Sequence, residues 1–306
     1  GITERIDRIT LLTPAYASEA PPAPRGVKIE LTARCDFQCF FCASHMRLRE
    51  KQDMDWDFFT RIVREMREEG VEELGLFYLG ESFLVPWLED AIAYAKRACG
   101  YPYVFLTTNG RMAVPDRVRA CMAAGLDSLK FSFNFADAEQ FRDVTRVKAS
   151  TYRRIVEHIR AARVARDEVE RTTGHRCGLY ASSILYDGEQ QARMAEAVAQ
   201  VVPYVDEHYY LPLYGQAGLT AGAHGTDGRE PGPGRRAAQA AAVLVPLHRG
   251  THHVRRAAVG LLLRPRRPLQ HGRPHADVVH GCLAQRAVPH AAAREPRGGR
   301  ARHGVR

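Results

Sequence analysis

The residues best equipped for chemistry are three cysteines on one short loop, Cys35, Cys39 and Cys42, within the stretch VKIELTARCDFQCFFCASH from Val27 to His45. A C-x3-C-x2-C spacing concentrates thiolates on one turn, and thiolate clusters select zinc or iron–sulfur centres over hard cations. Two readings follow from the residues themselves. With His45 as a fourth ligand the loop is a closed, tetrahedral Cys3His zinc knot, structural in role. Without it, the three thiolates hold three irons of a [4Fe–4S] cluster and leave the fourth iron open to a small ligand.

Such a loop has to be positioned by regular elements, and the flanking pattern supplies them. Val27–Leu31 reads as a strand leading into the cysteines. Trp56–Glu69 follows with apolar residues at 58, 59, 62, 63 and 66, the stripe of an amphipathic helix. The alternation then repeats: strands over 74–79, 103–107, 129–133, 179–185 and 207–211, helices over 87–99, 115–124, 152–170 and 189–201. Strands alternating with helices pair in parallel through crossovers, so residues 27–213 predict an α/β core. A partial (β/α)6 TIM-like barrel and a doubly wound sheet both accommodate six such units, and both gather chemistry at the C-terminal strand ends. There the sequence places the cysteines, Gly80-Glu81-Ser82, Thr108-Asn109-Gly110, Asn134 and Tyr186-Asp187.

The cysteine spacing, with the aromatic Phe41 immediately before the last cysteine and a (β/α)6 pattern behind it, resembles the radical S-adenosylmethionine superfamily. Leu79-Gly80-Glu81-Ser82 stands where that family carries a Gly-Gly-Glu-Pro type motif, with Leu79 and Ser82 departing at its outer positions. The resemblance implies a [4Fe–4S] cluster on Cys35, Cys39 and Cys42, with S-adenosylmethionine on the open iron. It further implies that Glu81 and the carbonyls around Gly80 take the ammonium, and that Phe41 contacts the adenine. Ser132 and Asn134 stand at a Ser-x-Asp type pattern, and Arg146 matches an arginine that pairs with the methionine carboxylate. The reaction implied is reductive cleavage of S-adenosylmethionine to a 5′-deoxyadenosyl radical that abstracts hydrogen from substrate, the cofactor supplying the difficult step. Relatives with a Cys-rich SPASM or twitch extension modify peptides or oxidise and epimerise sugar-like metabolites. A flavodoxin or ferredoxin as reductant and a peptide or small-molecule substrate are the partners implied. The residues alone also allow plainer roles: Glu81 as a helix cap, Asn109 as a turn residue, Ser132 and Arg146 as ordinary polar positions, Cys99, Cys121 and Cys177 as buried thiols.

Composition bounds the rest. The seven cysteines lack any framework of recurring spacings outside the loop, which predicts reduced thiols and a cytoplasmic setting. No apolar run reaches the ~20 residues of a membrane span. The net charge of +9 belongs to the tail: fifteen Arg against Asp277 and Glu295 give residues 231–306 a charge of +13, leaving −4 on residues 1–230. That distribution argues against a nucleic-acid-binding body. Residues 1–26 read as an N-terminal arm with a Pro-rich approach. Residues 214–306 read as a low-complexity basic tail, disordered or non-native; its last 76 residues contain no Phe, Tyr, Trp, Ile, Met, Asn or Lys. Ala, Arg, Gly, His and Pro together are what GC-rich coding DNA gives in a shifted frame, and comparing the other two frames for a Cys-rich continuation tests that reading.

Overall fold

In the computed structural model the described residues are 1–10, 13–17, 20–46, 50–186, 188–213 and 241–244. They lie within one unit, Gly1–Arg267. The strands are β1 (Gly26–Ile29), β2 (Glu73–Gly75), β3 (Tyr103–Thr108), β4 (Ser128–Ser132), β5 (Gly178–Ile184), β6 (Glu207–Leu211) and β7 (Ala241–Leu244). The helices are α1 (Ile2–Thr10), α2 (Trp56–Glu68), α3 (Leu88–Ala93), α4 (Pro115–Ala123), α5 (Ala138–Thr145), α6 (Ser150–Thr173) and α7 (Gly188–Ala199).

All six strand pairings are parallel, in the order β6-β5-β4-β3-β2-β1-β7. From β1 to β6 the chain advances one strand at a time without reversing. A doubly wound sheet reverses at its switch point, so this order is that of a barrel wall. Burial agrees. Along β3 every second residue is fully covered, as are Val27 and Ile29 of β1, Leu74 of β2, and Leu129 and Phe131 of β4. These residues pack against α2, α4 and α6 through Phe59, Ile62, Met66, Val118, Met122, Ile155 and Ile159. The other face, carrying Lys28, Phe105, Lys130 and Tyr180, is only partly covered. One face clad in helices and one turned inward is the barrel arrangement.

Several elements differ from expectation. The arm expected over 1–26 contains α1, whose Arg5 stacks on the Tyr103 ring at 3.5 Å and pairs with Glu73, while the Ile2 amide donates to Glu207. These partners lie at the N-terminal ends of β2, β3 and β6, opposite the cysteine loop. Helix α5 forms where a loop was expected, because Asp137 caps it by accepting from the Glu139 and Gln140 amides at 2.9 and 2.8 Å. The helix expected over 87–99 is split into α3 and a π turn, Tyr94–Ala98. Residues 241–244, inside the expected tail, form β7 along the free edge of β1. The remainder of the tail lies outside the described residues.

Candidate functional site

The cysteine loop leaves β1 and is cinched at its base. Thr32 bridges Asp53, the Ala33 amide donates to Gln52, and Arg34 grips the Asp53 carboxylate through two bonds of 2.9 and 2.7 Å. Bidentate pairs of this kind fix geometry as well as adding energy. Midway, Phe37 is buried edge-on against Phe135 and Phe141, and the Gln38 amide donates to the Thr145 carbonyl at the end of α5. The loop is thereby tied to β1 behind it and to α5 across the sheet. Cys35, Cys39 and Cys42 are unbridged thiols, partly exposed, and the Cys42 amide donates to the Cys39 carbonyl.

Three carboxylates join this loop to the neighbouring strand ends. Glu30 is 1% exposed, and its Oε1 accepts from the Leu79 and Gly80 amides at 3.0 and 2.9 Å. Glu81 is 3% exposed and accepts from the Phe83 amide, the Thr108 hydroxyl and the Asn109 amide at 3.1, 2.9 and 2.8 Å. Asp36, beside Cys35, accepts from the Asn109 side chain at 2.7 Å and lies 3.5 Å from Arg111. Gly80 shows how closely these parts approach. A Cβ there would sit 1.9 Å from the Thr32 carbonyl oxygen and 2.9 Å from that of Arg34, so no other residue fits between loop and strand end. Ser82, at the position where a proline was expected, donates to the Leu76 carbonyl at 2.6 Å.

Burial dominates the electrostatics. It pushes Glu81 up to about 7, against the opposing bonds from Asn109 and Phe83. It pushes the Cys35 thiol up to about 12, with the charges of Glu81, Asp36 and Cys42 acting in the same direction. Cys39 is driven well above the usual thiol range by burial and then by Cys42 and Cys35. Thiols so placed become thiolates only when a cationic centre compensates them, the setting a metal cluster meets. Three thiols on one turn fit a cluster that takes each thiolate on a different iron; the side chain of His45, the fourth ligand of the zinc reading, lies outside the described residues.

The remaining expected positions divide in two. Phe41, Ser132 and Asn134 meet in one cavity of about 140 Å³, whose lining also includes Lys130, Ser182, Ile184 and Leu211. Its position explains why they meet: Phe41 comes from the cysteine loop, while Ser132 and Asn134 lie at and just beyond the end of β4. The Tyr186 hydroxyl donates to the Asn134 carbonyl at 3.0 Å. Arg146 stands apart. It ends α5 in the left-handed conformation, φ 63°, with an exposed side chain, one residue beyond the carbonyl that receives Gln38. Asp187 lies outside the described residues. Sequence reading missed Glu30 and Asp36; the signal available was one acidic residue just before the metal-binding loop and another inside it, next to Cys35. It also missed Lys130, whose position inside a strand gave none.

Comparison with known proteins agrees with this geometry. The Radical SAM superfamily model matches residues 29–199. A PqqA peptide cyclase from Streptomyces rochei is 33% identical over 122 residues, 40% of this chain and 33% of that protein. A GTP 3′,8-cyclase from Chlorobaculum tepidum is 28% identical over 120 residues, 39% of this chain and 36% of the relative. The chain thus matches about a third of the length of these curated relatives. Among solved structures, Streptococcus suis SuiB bound to precursor peptide SuiA superposes with a TM-score of 0.51 at 15% identity, over 71% of this chain and 44% of that one, which bears on the fold. With more than half of its residues matched by the family model, the chain belongs to the radical SAM superfamily, whose enzymes work with a [4Fe–4S] cluster and S-adenosylmethionine.

Proposed function

We propose that this chain is the catalytic core of an enzyme that cleaves S-adenosylmethionine reductively and removes hydrogen from an organic substrate. Cys35, Cys39 and Cys42 hold the cluster, and Phe41, Ser132 and Asn134 form the wall that receives the cofactor. The observation that carries this reading is the meeting of Phe41, adjacent to Cys42, with Ser132 and Asn134 in one cavity at the C-terminal strand ends. When bound, cluster and S-adenosylmethionine supply one-electron cleavage chemistry.

The chain's own residues do the positioning. Glu81 accepts three internal donors, so its work is to fix the Thr108-Asn109 turn against the strand end, leaving the ammonium to the carbonyls around Gly80. Glu30 holds Leu79 and Gly80 in place for that purpose. Asn109 and Asp36 orient the segment beside Cys35. Arg146, exposed just past α5 and apart from the cavity, is assigned to the methionine carboxylate on the family resemblance. Phe41 and the aliphatic Ile184 and Leu211 exclude water from the wall.

A peptide is the preferred substrate, on the strength of the 33% identical relative named as a peptide cyclase; a small sugar-like metabolite is the second choice. A reductant of flavodoxin or ferredoxin type and a reducing, cytoplasmic compartment belong to the same proposal. The SPASM or twitch extension would lie after residue 213, in the segment where only 241–244 are described.

Anaerobic purification tests the proposal. The protein should be brown, with about four iron and about four sulfide per chain, and should release 5′-deoxyadenosine from S-adenosylmethionine on reduction. Joint replacement of Cys35, Cys39 and Cys42 by Ala should abolish both properties. A colourless, zinc-loaded protein, or cleavage that survives the triple replacement, would sink it.

A further inference from the structure

The inward face of the sheet carries two lysines, an uncommon choice for a barrel interior that is ordinarily filled by branched apolar side chains. Lys28 on β1 places its Nζ 5.4 Å from the centre of the Phe77 ring. Lys130 on β4 places its Nζ 5.8 Å from the Tyr209 ring, and its side chain lines the cavity that holds Phe41, Ser132 and Asn134. Parallel register puts Lys130 between Thr107 of β3 and Tyr180 of β5, one inward position deeper than Ser132. Among the described residues no carboxylate pairs with Lys130. The acidic groups on the same face have partners of their own: Glu207 accepts from the Ile2 amide, and Glu30 from the Leu79 and Gly80 amides.

An ammonium drawn out of water without a counter-charge is costly, and burial followed by the charge of Lys28 pushes Lys130 down to about 8. Aromatic faces offset part of that cost. What would offset the rest is an anion. Around the lysine the wall offers the hydroxyls of Ser132 and Ser182 and the amide of Asn134, donors suited to oxygen acceptors, while Ile184, Leu211 and Phe41 supply apolar contact. A hydrated inorganic ion has no use for the apolar part; an oxyanion attached to a carbon skeleton uses both.

We infer that Lys130, with Ser182, forms a subsite for an oxyanion carried by the substrate, a carboxylate or a phosphate, at the deep end of the cavity below the cofactor wall. This rests on the function proposed above and deepens it by naming the substrate's chemical class. A peptide would meet the requirement through an acidic side chain or its C-terminus.

The chain has only five lysines, at 28, 51, 96, 130 and 148, so competitive acetic-anhydride labelling read by peptide mass spectrometry resolves each one. The reconstituted protein is labelled anaerobically in chloride, in glutarate and in inorganic phosphate at equal ionic strength. Lys130 labelling should fall about fivefold at an anion concentration about four times its Kd, by mass action, while exposed Lys51 and Lys148 stay unchanged. Protection by glutarate alone identifies a carboxylate source, and protection by phosphate a phosphate source. In a second measurement, Lys130→Gln should erase the anion-induced rise in melting temperature, and Lys28→Gln serves as the comparison; if the Lys130 variant does not fold, the labelling decides. Equal labelling in all three salts overturns the inference. So does protection by S-adenosylmethionine alone, since the lysine would then belong to the cofactor's carboxylate. If no S-adenosylmethionine binds or is cleaved, the proposed function fails, and that outcome is read separately from the anion arms.

Discussion

At the scale of single residues the site depends on close approach and on filled acceptors. Gly80→Ala introduces a Cβ into space occupied by the Thr32 and Arg34 carbonyls. Backbone atoms cannot move aside as a flexible side-chain end does, so the strand end must separate from the cysteine loop. Overpacking of this kind costs about 1–3 kcal/mol or more, measurable by chemical denaturation, and the variant should retain less iron after desalting than the wild type. Glu30 makes a sharper comparison. The Leu79 and Gly80 amides both donate to one oxygen, so Glu30→Gln keeps an acceptor in place, whereas Glu30→Ala removes it from two part-buried N–H groups. A fully buried orphaned donor costs about 1–3 kcal/mol, and a part-buried one costs less. The Ala variant should therefore unfold at clearly lower urea than the Gln variant; equal midpoints would remove the role assigned to Glu30.

At the scale of elements, the junction of α6 with β5 and β6 rests on ions. Arg166 of α6 is fully buried and reaches both oxygens of Asp206 at 3.1 Å, while Asp206 also accepts from the Leu179 amide at 2.8 Å. Asp206→Ala removes this pairing while Asp167 stays 2.7 Å from the Arg166 Nε, so equilibrium unfolding should show a loss of about 1.5–3 kcal/mol. On β6 itself, His208 lies 2.9 Å from the Ser183 hydroxyl, and burial holds its imidazole below the ordinary 6.5. The unfolded chain thus takes up this proton more readily than the folded one. Stability from the neutral imidazole is full above pH 6.5 and is lost as pH falls through the depressed folded value. Wild type should lose more stability than His208→Gln between about pH 8 and about pH 5; parallel pH profiles would show that His208 does not titrate in this way.

At the scale of the whole molecule, ligand and fold are linked. Anything that binds the folded barrel alone raises its stability by mass action, about 2.7 kcal/mol at one hundred times Kd. S-adenosylmethionine should therefore raise the melting temperature of the cluster-loaded protein by several degrees and leave the triple cysteine variant unmoved. Equal shifts in the two proteins would place the binding elsewhere. The strand order bears on the same point. Because β1 to β6 advance without reversal, every C-terminal strand end faces the cysteine loop from one rim, and α1 sits at the opposite rim through Glu73, Tyr103 and Glu207.

The cysteine motif and the alternation of elements were legible in the chain because both are local: thiol spacing lies within eight residues, and helix and strand periods lie within a turn or two. Phe41, Ser132 and Asn134 each sit beside a strand end or a cysteine, so a local motif could single them out, and their part in binding the cofactor belongs to the proposed function. Only the tertiary structure decided between barrel and open sheet, since strand order depends on pairing between distant segments. It also decided what the charged residues do. Glu30, Glu81 and Asp36 look alike in sequence, yet their donors come from segments up to 73 residues away. Lys130 sits in an ordinary strand pattern and becomes notable only when register turns it inward beside Thr107 and Tyr180, with no carboxylate paired to it among the described residues. Burial and partnership are properties of the assembled chain, and a residue's charge acquires its function from them.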